Sequence, residues 1–213
     1  MKIILIRHGQ TRWNKEEVFR GRADIPLDET GMAQAEAVAA ALAHMKVSAV
    51  YSSPLARAAE TARIIARPHG LPVQLVDDLA DIDCGGWEGV PVDEARSRYP
   101  EMFEAWQEAP HTVTFPGGES LDQVADRAVA AVDRIVATHA AEGETVAVVS
   151  HRVVNKLLLL RILGLGSPAF WRIRQDTCCV NIIEHGPGSY VLHLLNDRCH
   201  LAGGRIPEPP SDF

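Results

Sequence analysis

Four short apolar runs punctuate the chain: Lys2–Ile6 (KIILI), Val47–Tyr51 (VSAVY), Val73–Val76 (VQLV) and Thr145–Val149 (TVAVV). Runs of this kind, rich in β-branched residues, predict strands buried on both faces, as in a parallel sheet. Two later stretches, Val180–Glu184 and Tyr190–Leu195, are separated by His-Gly-Pro-Gly-Ser and predict a hairpin at a sheet edge. Between the strands, apolar residues recur at helical spacing over Glu29–Met45, Pro54–Ala66, Ser120–Ala141 and Val153–Leu163. Ser52-Ser53 ahead of Pro54 gives the third segment a cap followed by a first-turn proline. Alternating strands and helices imply right-handed crossovers and an α/β fold, a three-layer α/β/α sandwich with a mostly parallel central sheet. Residues 85–118 break the rhythm, with short helices expected at Val92–Arg98 and Glu101–Glu108, and form a cap-like excursion over one end of the sheet. The tail Gly203–Phe213, with three prolines and two glycines, predicts a loose terminus. With no repeat and no dividing linker, residues 1–213 are expected to form a single domain.

Composition narrows the function classes. A chain of 213 residues is long enough to bury about 70–75% of its unfolded surface without disulfide or metal staples. A net charge of −7 argues against general nucleic-acid binding, which needs a basic footprint. Cys84, Cys178, Cys179 and Cys199 include no CxxC pair and predict reduced thiols, hence a cytoplasmic location. The apolar run after Met1-Lys2 stops at Arg7, too short for a signal-peptide core, and no later stretch is long enough to span a membrane.

In open α/β sheets, ligands bind beyond the carboxyl ends of the parallel strands. The first strand runs into Arg7-His8-Gly9, and the second into Ser52-Ser53-Pro54 with Arg57 one turn on. The third leads to Asp81-Ile82-Asp83, and the 145–149 strand to Ser150-His151-Arg152. One rim therefore collects two histidines, three arginines and two carboxylates. That set suits phosphoryl transfer from a monoester. Arginine forks bind phosphate oxygens bidentately. A neutral imidazole is a competent nucleophile near pH 7, giving a phosphoenzyme that water hydrolyses. A protonated His151 would stabilise charge on the equatorial oxygens. A carboxylic acid would protonate the departing alkoxide and then activate water.

The residues Arg7-His8-Gly9-Gln10-Thr11-Arg12-Trp13-Asn14 resemble the RHG motif of the histidine phosphatase superfamily, also called phosphoglycerate mutase-like. Further ordered matches are Gly21…Asp24-Ile25-Pro26-Leu27…Gly31, Tyr51-Ser52-Ser53-Pro54-Leu55-Ala56-Arg57…Glu60-Thr61-Ala62, Gly86-Trp87-Glu88-Gly89, Pro116-Gly117-Gly118-Glu119-Ser120 and Val149-Ser150-His151. They span Met1–Leu201. The resemblance implies His8 as nucleophile, Arg7, Arg57 and His151 as phosphate pocket, Asn14 as a further donor and Asp81 as general acid, with Gly21 beside the substrate. It implies no cofactor and no metal. Trp87 is expected to anchor its loop by packing.

Three positions depart from the family pattern. The phosphatase branch usually carries glutamate where Asp81 stands, one methylene longer by about 1.5 Å. Either the loop moves inward, or a water intervenes, or Asp83 contributes. Arg20 and Arg152 stand where glutamine and glycine are common, and two extra cations favour a substrate with a second negative group. Ala109–Leu121 and Cys199-His200-Leu201 are similar to metal-independent phosphoserine phosphatases, a group in which His200 and a histidine at the position of Cys84 assist recognition. The expected function is therefore a metal-independent phosphomonoesterase acting on a small phosphorylated metabolite, of phosphoserine or phosphoglycerate type. Glucosyl-phosphoglycerate and α-ribazole phosphate are rivals, and a homodimer paired through the late hairpin is the assembly considered. Phosphoglycerate mutase activity is an alternative, although mutases tend to be longer. A catalytically weak phospho-ligand-binding member is another. A zinc enzyme is a third, but no HxH or HxxxH spacing occurs and an arginine beside each histidine would repel a cation.

Overall fold

The computed structural model describes residues 1–139 and 143–202, so the tail Gly203–Phe213 and the Ala141 end of one expected helix lie outside the described residues. Six strands form one sheet: β1 (Lys2–Arg7), β2 (Ala49–Ser52), β3 (Val73–Leu75), β4 (Thr145–Ser150), β5 (Val180–Gly186) and β6 (Ser189–Asp197). Their spatial order is β3-β2-β4-β1-β5-β6. β1 to β4 are mutually parallel, and β5 and β6 add the antiparallel hairpin at one edge.

The two-faced burial expected of the apolar runs is plain in β1. Ile3 and Leu5 join a core with helices α6 (Leu121–Thr138) and α7 (Arg152–Ile162). Ile4 and Ile6 enter the opposite core with α2 (Glu29–Leu42) and α3 (Ala56–Ala66). Side chains alternate faces along a strand, so an uninterrupted apolar run requires helices on both sides. The helix starts are fixed chemically. The Asp28 carboxylate accepts from Gly31 N at 2.8 Å, and Ser120 and Gln123 exchange reciprocal bonds that satisfy two orphan donors of α6. Among the described residues no helix is long and apolar enough to cross a membrane.

Two expectations need correction. β3 is an edge strand with Leu75 54% exposed, so its apolar run does not reflect burial on both faces. Helix α3 begins at Ala56 rather than Pro54, because Leu55 still has extended backbone. Neither Ser52 nor Ser53 is the N-cap, which falls on Leu55.

Residues 85–118 hold a 3-10 turn (Gly85–Trp87) and short helices that we label α4 (Val92–Arg98) and α5 (Pro100–Glu108), after the four-residue α1 (Arg12–Lys15). Trp87 is fully buried, edge-on to Phe19 at 5.0 Å and stacked on Tyr99 at 5.3 Å. It is the packing anchor the sequence implied, and truncating an aromatic in such a setting costs about 3–5 kcal/mol. Gly9 and Gly31 are needed for close approach. A Cβ on Gly9 would lie 2.5 Å from Gly31 O, and one on Gly31 would lie 2.1 Å from Gln10 O. The loop after β1 is thereby pressed against the first turn of α2.

Candidate active site

The register of β1 on β4 pairs Arg7 with Ser150, so the next residue of each strand, His8 and His151, meet at the sheet's carboxyl end. Their ring centroids are 5.1 Å apart, and both residues are buried. His8 Nδ1 lies 2.7 Å from Gly9 O. A carbonyl only accepts, so Nδ1 carries the proton and the lone pair resides on Nε2, which is buried and has no protein partner. The His8 ring is thus oriented by its own backbone. Gly9 N in turn donates to Thr61 Oγ1, which donates to Arg57 O, tying the loop to α3.

Two guanidiniums flank the histidines. Arg7 Nη1 donates to Gln175 O at 2.6 Å. Arg57 is fully buried and donates to Ala23 O, Gly21 O and Asp81 Oδ2 at 2.7, 2.9 and 3.3 Å. Asp81 Oδ2 also lies 3.7 Å from His151 Nδ1, while Oδ1 accepts from Ile82 N at 3.0 Å. The Asp81 carboxylate therefore lies directly against Arg57 and His151. Asp83 instead closes a turn by accepting from Gly85 N. The Asp81 loop is held by Arg127 of α6, which donates to the carbonyls of Asp78, Ala80 and Asp81 and forks onto Glu119.

Burial sets the electrostatics. Desolvation, followed by the charges of Arg57, His151, Arg7 and Arg20, holds the His8 imidazole well below its ordinary value of 6.5. His151 is held well below 6.5 by desolvation and then by Arg57, Arg20, Arg7 and Arg127. Burial and the surrounding cations thus favour the neutral imidazole of His151. Arg7 is pushed down to about 10, by burial and then by Arg152.

A cleft opens beside Asp81, lined among others by Arg20, Gly21, Cys84, Trp106, Phe115 and Arg152. Asp81 is the one carboxylate among its lining residues. Arg20 donates to Trp13 O at 3.3 Å, and its buried Nε has no protein partner. Asn14 accepts twice from Thr11 through Oδ1, which leaves Nδ2 as its remaining donor. His200 is not among the residues lining this cleft: its Nε2 donates to Cys178 O at 2.9 Å, behind the His8 loop. Among the described residues no group of three or more His, Cys, Asp or Glu is placed to hold a metal ion.

Sequence reasoning missed three supports. Ser53, 2.7 Å from His151 Nε2, stands just before a proline, where sequence alone points to a helix cap. Gln175 serves Arg7 through its carbonyl, which leaves no side-chain signature. Arg127, on a polar helix face, looks like an ordinary solvated cation.

Comparison with known proteins agrees with this geometry. Residues 3–198 match the profile of the histidine phosphatase superfamily (branch 1). Phosphoserine phosphatase 1 of Hydrogenobacter thermophilus is 36% identical over 201 residues, covering 94% of each chain. The metal-independent phosphoserine phosphatase of Arabidopsis thaliana is 33% identical over 204 residues, covering 94% of this chain and 83% of its own. The solved structure of YhfR from Bacillus stearothermophilus superposes with a TM-score of 0.89 at 34% identity, covering 94% of this chain and 98% of that one. The chain belongs to branch 1 of the histidine phosphatase superfamily and is a phosphoric monoester hydrolase.

Proposed function

We propose that the chain hydrolyses a small phosphorylated metabolite, of phosphoserine or phosphoglycerate type, without a metal and through a phosphohistidine at His8. The observation that carries this reading is the single free lone pair of His8, fixed on Nε2 and flanked by Arg7, Arg57 and His151. Arg7 and Arg57 hold the phosphoryl oxygens, with Asn14 Nδ2 as a further donor. Nε2 attacks phosphorus while the bond to the ester oxygen breaks, and Asp81 delivers its proton to that oxygen. Asp81, now ionised, takes a proton from a water that attacks the phosphohistidine. The P–N bond breaks, and inorganic phosphate and the restored imidazole result.

The leaving group must sit in the cleft that Asp81 lines, because only there does the acid meet the departing oxygen. Arg20 and Arg152 line the same cleft, which supports a leaving group that carries a second negative charge. Residues 85–118 supply Trp106 and Phe115 to that wall, in keeping with a cap belonging to one domain. The test is phosphate release in EDTA from phosphoserine, 3-phosphoglycerate, glucosyl-3-phosphoglycerate, α-ribazole phosphate and p-nitrophenyl phosphate, each with a His8→Ala control. Release that survives chelation and requires His8 is expected. Activity lost to the chelator, or retained by His8→Ala, would overturn the reading.

A further inference from the structure

Ser53 lies at the end of β2, fully buried, with its backbone N bonded to Val149 O at 3.0 Å. Its position is thereby riveted to β4, two residues before His151. Its hydroxyl oxygen is 2.7 Å from His151 Nε2 and accepts from Leu55 N at 3.3 Å. Leu55 N is a donor, so among the described residues the hydroxyl proton has one acceptor within reach, His151 Nε2. An imidazole nitrogen that accepts carries no proton, and the ring's N–H then falls on Nδ1. Nδ1 is the nitrogen 3.7 Å from Asp81 Oδ2, on the side where the phosphoryl group must lie, and it is buried without a hydrogen-bond partner.

We infer that Ser53 is a positioning residue that selects the Nδ1–H tautomer of His151, so that this ring presents a donor, rather than a lone pair, to the transferring phosphoryl oxygens. The inference rests on His151 belonging to the phosphate pocket as set out under Proposed function. A lone pair aimed at a phosphate oxygen would repel it, so without Ser53 the ring must first change tautomer to become useful. The second hydroxyl of the pair has no such role, since Ser52 Oγ donates to Ser53 O at 2.8 Å.

The experiment is a long-range ¹H–¹⁵N correlation spectrum of the imidazoles in the full chain, with kinetics on p-nitrophenyl phosphate, for the native protein, Ser53→Ala, Ser53→Thr and His151→Ala. The native spectrum is expected to show His151 as the Nδ1–H form. Ser53→Ala is expected to shift it toward Nε2–H and to lower kcat by about twofold to tenfold with KM little changed, the scale of one neutral hydrogen bond. Ser53→Thr, which keeps the hydroxyl, is expected to restore both. A native Nε2–H form overturns the inference regardless of how the variants fold. So does a Ser53→Ala protein that folds and keeps both tautomer and kcat. Full activity of His151→Ala would instead remove the phosphate-pocket reading on which the inference stands.

Discussion

Replacing Asp81 by asparagine keeps the side chain's volume and its acceptor for Ile82 N, but removes the one carboxylic acid among the residues lining the cleft. The carboxylate is 3.3 Å from Arg57 and 3.7 Å from His151, so it borders the groups that would hold the phosphate. A positioned general acid contributes about 10²–10⁴ in rate, or about 2.7–5.5 kcal/mol of barrier. That contribution is realised only where the departing oxygen needs a proton. Phosphoserine leaves as an alkoxide and needs one, whereas p-nitrophenolate is stable unprotonated. In steady-state phosphate release, Asp81→Asn should therefore lose about 10²–10⁴ in kcat on phosphoserine and at most about tenfold on p-nitrophenyl phosphate. Inorganic phosphate should inhibit the variant at lower concentration, because a negative charge has left its neighbourhood. Arg57 keeps the carbonyls of Gly21 and Ala23, so folding should survive, and thermal unfolding serves as the control. Equal losses on both substrates would refute the acid role and leave Asp81 as an orienting partner of Arg57.

Other consequences follow from the same geometry. Because His8 and His151 are held below 6.5, acidification through 6.5 should not lower kcat/KM on their account, whereas an ordinary imidazole nucleophile would lose its lone pair there. Stability should respond in the opposite sense. The unfolded chain protonates both rings near 6.5 while the fold resists, so stability is lost as pH falls from 6.5 toward the depressed folded values. The limiting slope for the pair is about 2.7 kcal/mol per pH unit, and urea titrations of the anion-free protein at pH 7.5 and 5.5 would detect it. Arg20→Gln should lower kcat/KM for phosphoserine about tenfold to a hundredfold, and less for p-nitrophenyl phosphate; equal effects would remove the second-anion reading. Arg127→Met should unfold about 5–12 °C earlier in a thermal melt and lower kcat more than it raises KM, since the loop it holds carries Asp81, the proposed acid. An unshifted melt would mean the fork onto Glu119 contributes little.

The strands were legible because a parallel sheet covered on both faces leaves uninterrupted apolar runs, and the strand-end rule then placed Arg7, His8, Arg57, Asp81 and His151 on one rim. What failed to show was whatever depends on distant partners. Ser53 and His151 are 98 residues apart, and a serine before a proline carries a strong local meaning as a cap. Gln175 reaches Arg7 across 168 residues by a backbone carbonyl, which any residue type could supply. β3 has the composition of its buried neighbours yet sits at the edge, a consequence of strand order that its own residues do not encode. The charge state of His151 follows first from its burial and then from the arginines that converge on it, and only the assembled fold shows either.

The central claim is a covalent intermediate on His8, and the stereochemical course at phosphorus tests it most directly. A phosphomonoester made chiral with oxygen isotopes would be hydrolysed in isotopically labelled water, with EDTA present and His8→Ala as the blank. Two successive in-line displacements, the first by His8 Nε2 and the second by water, predict net retention of configuration. Net inversion would mean that water attacks the ester directly, and the phosphohistidine account would be wrong.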